Sequence, residues 1–148
     1  MNDKRISLRP ARLADLAWLD PFYESLMRPY VELTHEWDMT IFRMSFNPKE
    51  SSIIQFDGQD IGLFTVKERE DGLYLGDIQV KPEYQGRGIG LFLIKGVLTD
   101  EIRKGRDVRL RVLKGNPAIK LYRRVGFELE QELDNCYEMV YSASCESK

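Results

Sequence analysis

The sequence predicts a mixed α/β fold in which a mostly antiparallel central sheet is flanked by helices. The middle of the chain carries three apolar, strand-like segments, separated by Asp57-Gly58 and Asp71-Gly72, which are dipeptides typical of hairpin turns. The third segment leads into a glycine-rich turn at 85–90 and then into an apolar stretch with helical spacing. A hairpin meander followed by a strand, a turn and a helix indicates a sheet of mixed direction.

Size and composition limit the class of protein. At 148 residues the chain can bury a substantial core, and we expect one domain over residues 1–148. The 22 basic residues nearly balance the 24 acidic ones, so no electrostatic surface for nucleic acid is indicated. No apolar run approaches membrane-spanning length, and the polar N-terminus is not followed by a signal-peptide core. Cys136 and Cys145 have neither metal-ligand nor disulfide-framework spacing. We therefore expect a cytoplasmic protein without a metal site.

The N-terminal half is predicted to contain one strand and two helical stretches. A short strand over Ile6–Arg9 precedes an amphipathic helix over Ala11–Met27, which is kinked at Pro21 and ended by Arg28-Pro29. Tyr30–Phe46 is predicted as a second helical piece around an aromatic-rich turn. The strands of the meander then follow at Ser52–Phe56, Ile61–Glu68 and Leu73–Val80.

The C-terminal half is predicted to alternate helices and strands. A helix ends at Gly105, and alternating residues over Val108–Val112 predict a strand with one solvent-facing side. Asn116 is a favourable N-cap for a further helix, and Gly126 a favourable C-terminal cap. Phe127–Tyr141 should form a closing hairpin that turns near 134–135.

The most informative stretch is the glycine-rich turn, Gln85-Gly86-Arg87-Gly88-Ile89-Gly90. A glycine turn between a strand and a helix N-terminus forms an anion site, most often for phosphate. Nucleotide-triphosphate loops carry Lys and Ser or Thr after the last glycine, whereas Leu91 and Phe92 stand here. The spacing also misses the third glycine of a dinucleotide fingerprint. The observed pattern is Gln-x-x-Gly-x-Gly.

Two signatures in this order resemble those of the GCN5-related N-acetyltransferases, the GNAT family. The first comprises the glycine turn and the preceding Ile78-Gln79-Val80-Lys81-Pro82-Glu83-Tyr84. The second is Asn116-Pro117-Ala118-Ile119-Lys120-Leu121-Tyr122-Arg123-Arg124-Val125-Gly126-Phe127, and Arg9-Pro10-Ala11 with Asp15 is similar to the usual opening of the family. The resemblance covers nearly the whole chain. It implies the GNAT fold, in which the strand before the glycine turn splays away from its neighbour.

The resemblance also implies a cofactor, acetyl-CoA, and the residues that bind it. Backbone groups of the turn would hold the pyrophosphate, with charge added by Arg87, and the pantetheine arm would lie along the splayed strand. The amide of Val80 is the candidate donor to the thioester carbonyl. The implied cofactor-binding residues are Ile78, Gln79, Val80, Gln85, Gly86, Arg87, Gly88, Ile89, Gly90, Asn116, Ala118 and Tyr122.

Two residues are candidates for proton transfer. Tyr122 occupies the position of the family's tyrosine, whose hydroxyl lies near the CoA sulfur and can protonate the thiolate. The alternative is that Tyr122 only packs on a helix face. For the base, Asp77 is the best candidate beside Tyr74 and Glu68, but the pattern equally allows Asp77 to be a solvent-facing strand residue.

The amine acceptor is expected to contact the first helical region and the last hairpin, as it does in the family. The candidate residues are Tyr23, Tyr30, His35, Trp37 and Tyr137, together with the acidic Glu36 and Asp38. Aromatic and acidic side chains mixed in this way would suit a cationic amine, although the aromatics could instead cover the sheet. A lone histidine such as His35 is more often a surface or capping residue.

The predicted activity is transfer of an acetyl group from acetyl-CoA to a primary amine of a small molecule or peptide. Direct attack in a ternary complex is expected, because neither signature contains a cysteine that could carry the acetyl group. The alternative is a non-catalytic acyl-CoA-binding sensor or scaffold of the same fold. An enzyme that transfers a longer acyl group also stays open, as does a homodimer, which is common in the family.

Overall fold

The computed structural model describes residues 5–143, which form a seven-stranded sheet with four α-helices. The strands are β1 (Ile6–Pro10), β2 (Ser51–Phe56), β3 (Gln59–Arg69), β4 (Gly72–Val80), β5 (Asp107–Leu113), β6 (Glu128–Glu132) and β7 (Cys136–Tyr141). The helices are α1 (Leu16–Val31), α2 (Ile41–Ser45), α3 (Ile89–Arg103) and α4 (Ala118–Val125). None of the helices in the described range has the length and apolar character needed to cross a bilayer.

The sheet confirms the predicted mixed architecture. Its strand order is β1-β2-β3-β4-β5-β7-β6, and every neighbouring pair is antiparallel except β4 and β5. The turn between β2 and β3 places both Asp57 and Gly58 at positive φ, 51° and 81°, as a tight hairpin turn requires.

The two strands of the parallel pair separate partway along their length. β4 pairs with β5 only from Gly72–Leu75 to Asp107–Leu110. Beyond these residues β4 continues to Val80 beside β3, and β5 continues to Leu113 beside β7. A gap therefore opens between the two strands at the end of β4 that leads into the glycine turn, as the family resemblance implied.

A bulge lies where the gap begins. On β3, Thr65 is opposite Asp77 and Val66 is opposite Leu75, which leaves Gly76 as an extra residue in β4. Bulges of this kind bend a strand and redirect its side chains, and they are common beside functional sites. Asp77 is the first residue after the bulge.

The core has one layer on each face of the sheet. Ile54 and Phe64 belong to the larger cluster, which includes residues of α3, β5 and β7. Their neighbours Ile53 and Leu63 belong to a second cluster with Leu19 of α1 and Phe42 of α2. Because successive strand residues point to opposite faces, α1 and α2 cover the face opposite α3.

The predicted end of the first helix at Arg28-Pro29 is wrong. The α-helix begins only at Leu16 and passes both Pro21 and Pro29 before it ends at Val31. A proline removes one helical N–H and strains the turn before it without forcing the chain to leave the helix. Arg28 also pairs with Glu24 at 2.7 Å and Glu32 at 3.1 Å, so ion pairs bridge the turns around Pro29.

The prediction of a helical piece over Tyr30–Phe46 is wrong for most of that range. Only α2 and the last two residues of α1 are helical in that range, and residues 32–40 form turns and irregular backbone. Asp38 Oδ1 accepts hydrogen bonds from the backbone N–H of Thr40 at 2.9 Å and from its hydroxyl at 2.7 Å. Local bonds of this kind compete with helical ones.

Candidate functional site

The glycine turn forms a concave end to β4. Gly86 and Gly88 have φ of 77° and 80°, in the left-handed region that glycine adopts without strain, and Gly88 is the N-cap of α3. The first N–H groups of α3 have no partner within the helix, and the positive end of the helix dipole points at the turn. The turn is therefore built to bind an anion such as a phosphate.

Side chains of the turn fix its position. Gln85 Nε2 donates to the carbonyl of Val80 at 2.9 Å and so ties the turn to the end of β4. Arg87 Nη2 donates to the carbonyl of Glu83 at 3.1 Å, and its guanidinium lies 5.0 Å from the Tyr84 ring centroid. The side chain of Ile89 is buried in the core. In this arrangement the backbone of the turn, more than its side chains, faces an incoming ligand.

The walls of the gap offer backbone groups and the side-chain amide of Asn116. On β4, Ile78 and Val80 pack against the core, and Gln79 Nε2 lies 3.2 Å from Met27 Sδ. Beyond the end of β5, Asn116 Oδ1 accepts from the N–H of Ala118 at 2.9 Å. Asn116 therefore caps the first N–H of α4, although Pro117 rather than Asn116 directly precedes the first helical residue. That bond leaves Asn116 Nδ2 to donate elsewhere.

Asp77 and Tyr122 are the two predicted proton-transfer residues, and they are electrostatically coupled. Burial raises the pKa of Asp77, against the opposing effects of a hydrogen bond from Thr65 and the charge of Lys67. Burial, with a smaller contribution from the charge of Asp77, raises the pKa of Tyr122 to about 12. The Tyr122 ring also packs at 6.1 Å from Phe127. Asp77 is half-buried, a position between the base and the solvent-facing strand residue that the sequence pattern allowed.

The other two candidates for the base lie in different surroundings. Burial raises the pKa of Tyr74 to about 12, and its charged neighbours are Arg111 and Glu138 on β5 and β7. Glu68 is exposed and lies 3.4 Å from Arg106. Within residues 5–143, Asp77 is the carboxylate whose charge acts on Tyr122.

On the other side of Asp77 is an aromatic cluster from α1, α2 and the segment between them. Tyr23 stacks on Phe42 with ring centroids 4.2 Å apart and lies 6.3 Å from Trp37. Burial, and secondarily the charge of Asp77, raises the pKa of Tyr23. Trp37 Nε1 is buried and has no hydrogen-bond partner within residues 5–143. A donor of this kind is available to a bound molecule.

The remaining predicted acceptor residues are more dispersed. Tyr30 is half-buried in the last turn of α1. His35 is exposed, with Nδ1 2.8 Å from Thr34 Oγ1 and Nε2 3.4 Å from Asp134 Oδ2 in the β6–β7 turn. Tyr137 lies on β7 with the Lys114 ammonium 5.5 Å from its ring centroid.

Sequence reasoning missed the polar residues that surround Asp77 on neighbouring strands. Thr65 and Ser51 are both buried, and with Lys67 they line a cavity of about 30 Å³ next to Asp77. The available signal was a hydroxyl at Thr65, directly after the apolar run Leu63-Phe64. The sequence alone gave no register to align this threonine with Asp77.

Of the two cysteines, the structure describes Cys136. Cys136 is buried on β7, and burial raises the pKa of its thiol, which makes it a poor nucleophile. Cys145 lies outside the described residues.

Comparisons with known proteins agree with this geometry. The profile of the family described as Acetyltransferase (GNAT) domain matches residues 48–129. The chain is 48% identical over 56 residues to thialysine N-epsilon-acetyltransferase from Bos taurus, a match that covers 36% of this chain and 33% of that protein. It is 34% identical over 68 residues to cysteine-rich protein 2-binding protein from Mus musculus, covering 46% of this chain and 8% of that protein. The chain thus spans a third or less of these two curated relatives.

Among solved structures, the PaiA N-acetyltransferase of Thermoplasma acidophilum in complex with coenzyme A has a TM-score of 0.73 at 21% identity. The alignment covers 93% of this chain and 98% of that one, and a likeness at this identity shows the fold. The family match spans β2 to the start of β6, and it includes the separated strands, the glycine turn and α4. On this evidence, the chain belongs to the GNAT acetyltransferase family.

Proposed function

We propose that this protein transfers an acetyl group from acetyl-CoA to a primary amine, by direct attack in a ternary complex. One observation carries the proposal: β4 and β5 separate after four paired residues, and the glycine turn stands at the open end. The gap suits an extended pantetheine arm, and the turn suits a pyrophosphate. The coenzyme A complex named for the T. acidophilum structure supports this cofactor.

In the proposed site, the backbone from Gln85 to Gly90 holds the pyrophosphate. Asn116 Nδ2 and the unpaired backbone of Ile78, Gln79 and Val80 hold the pantetheine arm, and the start of α4 at Ala118 closes the gap. A backbone N–H of β4, that of Val80, stabilises the developing negative charge on the thioester oxygen. Arg87 leaves its contact with Tyr84 to pair with a phosphate.

Asp77 is proposed as the base. A solution amine with a pKa of about 10.4 must lose a proton before it can attack, and a carboxylate with a raised pKa is a stronger base than an ordinary one. The aromatic cluster of Tyr23, Phe42 and Trp37, which lies next to Asp77, provides a surface for the cationic amine.

Tyr122 is proposed to stabilise the departing sulfur. A phenol with a pKa of about 12 is protonated at neutral pH. Full proton transfer to a thiolate whose conjugate thiol has a pKa of about 8.5 is uphill, so Tyr122 acts mainly as a hydrogen-bond donor to the sulfur. The buried Cys136 takes no part, which favours direct attack over a covalent acetyl carrier.

The acceptor is proposed to be a small molecule or a peptide that carries a primary amine. Two names support amines of both kinds. The Bos taurus relative is named for thialysine, and the structure of Arabidopsis thaliana Naa50 is named as a complex with the peptide-containing bisubstrate analogue CoA-Ac-MVNAL. That structure has a TM-score of 0.65 at 22% identity, over 93% of this chain and 99% of that one. His35, Tyr30 and Tyr137 would contact the distal part of such an acceptor.

The test is release of CoA thiol from acetyl-CoA across a panel of amino acids, polyamines, peptides and aminoglycosides, with acetyl-CoA binding measured by calorimetry. Release that depends on one amine class is the expected result. Binding without release from any amine would favour the alternative of a non-catalytic acyl-CoA sensor. Absence of binding would overturn the proposed cofactor and, with it, the proposed activity.

A further inference from the structure

Three polar side chains form a row across neighbouring strands beneath the proposed base. Ser51 on β2 is directly opposite Thr65 on β3, and Thr65 is directly opposite Asp77 on β4. Ser51 and Thr65 are both buried, with 6% and 5% of their surface exposed, next to the apolar cluster that includes Ile53 and Leu63. Buried hydroxyls need hydrogen-bond partners, and the Ser51 and Thr65 hydroxyls are close enough to bond to each other.

The contacts make the row continuous. Thr65 lies directly opposite Asp77 and lines the same small cavity, where its hydroxyl opposes the rise in the pKa of the Asp77 carboxyl. Thr65 Oγ1 lies 3.3 Å from Ser51 Oγ. Ser51 Oγ in turn donates to the backbone carbonyl of Asn47 at 2.8 Å. The row therefore runs from the carboxyl of the proposed base to a carbonyl that can only accept.

We propose that Thr65 and Ser51 are positioning residues for the proton transfer: the row orients the Asp77 carboxyl and changes its direction of donation when Asp77 takes a proton from the acceptor amine. The inference rests on the proposed role of Asp77 as the base. No proton leaves the row, because each hydroxyl only exchanges its donor and acceptor roles.

The number of hydrogen bonds differs between the two states of Asp77. When Asp77 is ionised, Thr65 donates to the carboxylate and Ser51 donates to Asn47, so no proton lies between the two hydroxyls. When Asp77 is protonated, Asp77 donates to Thr65, Thr65 to Ser51, and Ser51 to Asn47. Because a hydroxyl has one proton, only the protonated state fills all three contacts.

The two hydroxyls therefore act on Asp77 in opposite directions. Thr65 makes a charge-assisted bond to the carboxylate, which is stronger than its bond to the neutral acid, so it favours ionisation. The contact between Ser51 and Thr65 is satisfied only in the protonated state, so Ser51 favours the proton. Other ionisable groups that face Asp77 act equally in both hydroxyl variants; these are Lys67, Tyr23, Tyr122 and, across the small cavity, Glu50.

The test is the pH titration of the Asp77 carboxyl carbon by NMR, in protein labelled with ¹³C-aspartate and with the signal assigned by its loss in Asp77→Asn. Thr65→Val should raise the midpoint, and Thr65→Ser should restore it. Ser51→Ala should lower the midpoint. Ser52→Ala, on the same strand but opposite Phe64, is the matched control and should leave it unchanged.

Coincident midpoints in the wild type, Thr65→Val and Ser51→Ala would overturn the inference, and so would a shift of the same sign in both variants. If Thr65→Val does not fold, the Ser51→Ala and Ser52→Ala pair decides, because removal of a hydroxyl from Ser51 creates little space. The readout needs neither an acceptor nor acetyl-CoA.

Turnover with the amine found in the panel separates the inference from the function on which it rests. Thr65→Val should lower kcat at neutral pH about tenfold and leave KM for acetyl-CoA unchanged. Full turnover in Asp77→Asn would reject Asp77 as the base. A large loss in Asp77→Asn with unchanged kcat and pH profile in Thr65→Val would instead reject only the positioning role.

Discussion

The two halves of the proposed site are built in different ways. Most of the cofactor half is continuous in sequence: β4, the glycine turn and the N-terminus of α3 follow one another between residues 72 and 103, and only Asn116 and the start of α4 come from elsewhere. The acceptor half combines α1, the irregular segment 32–40 and α2 with single residues from distant strands. The first half offers mainly backbone groups to a ligand, whereas the second offers side chains.

This contrast explains why the cofactor half is easier to predict from sequence than the acceptor half. A backbone anion site needs a particular chain conformation, and conformation leaves local marks such as glycines at fixed spacing. A side-chain site needs only that groups distant in sequence come close together in the fold, and no local sequence pattern encodes that proximity. If the halves are also functionally separable, a change in one should leave the binding properties of the other intact.

The largest expected effect comes from Asp77→Asn, which removes the proposed base. Turnover should fall about a hundredfold, because general base catalysis typically contributes at least that factor. Affinity for acetyl-CoA, measured by calorimetry, should not change, since the glycine turn is untouched. A parallel loss of both would mean that Asp77 supports the cofactor half as well.

The same variant should be more stable than the wild type at neutral pH. Burial raises the pKa of Asp77 above its unfolded value, so the folded protein binds this proton more tightly. Below the unfolded pKa both states are protonated and the carboxyl costs nothing; as pH rises through the folded pKa, the cost of a buried charge appears. The gain in Tm for Asp77→Asn should therefore disappear in acid, and a gain that is independent of pH would contradict the burial argument.

Tyr122→Phe should lower turnover about thirtyfold and leave binding of acetyl-CoA intact, because it removes one hydrogen bond to the departing sulfur. Tyr74→Phe is a matched control, since burial raises the pKa of both phenols to about 12. Steady-state kinetics on the two variants distinguishes a specific role from general loss of a buried hydroxyl. Equal turnover in wild type and Tyr122→Phe would remove Tyr122 from the mechanism.

Gly88→Ala should weaken acetyl-CoA binding about tenfold, because a left-handed conformation costs a residue with a Cβ roughly 1–2 kcal/mol and the turn relaxes away from its binding shape. Gly58→Ala is the control: its φ of 81° nearly equals the 80° of Gly88, but it lies in the β2–β3 hairpin. Calorimetry and thermal unfolding should show similar losses of Tm and a loss of affinity only for Gly88→Ala.

The smallest effect is expected for Trp37→Phe, which keeps the aromatic surface and removes the unpartnered Nε1 donor. KM for the amine should rise about threefold, while affinity for acetyl-CoA and kcat stay the same. An unchanged KM would place the acceptor elsewhere, and a change in cofactor affinity would show that the halves are not separable.

The sequence predicted most of the fold because its signals there are local. The strands of the meander, the turn at Asp57-Gly58 and the cap at Asn116 agree with the structure. The errors lie at Pro29, which the helix passes, and in the segment 32–40, where side-chain bonds to nearby backbone replace helical ones. The row from Ser51 to Asp77 was not predictable, because it depends on the register of three strands.

The separation of β4 and β5 has a mechanical consequence. Two antiparallel units, β1–β4 and β5–β7, are joined within the sheet by four residue pairs, so this seam has fewer hydrogen bonds between strands than those on either side. A molecule that bonds to both walls of the gap acts as a brace between the units. Since ligands that bind only the folded state stabilise it, an occupied gap would make the two halves of the sheet unfold as one.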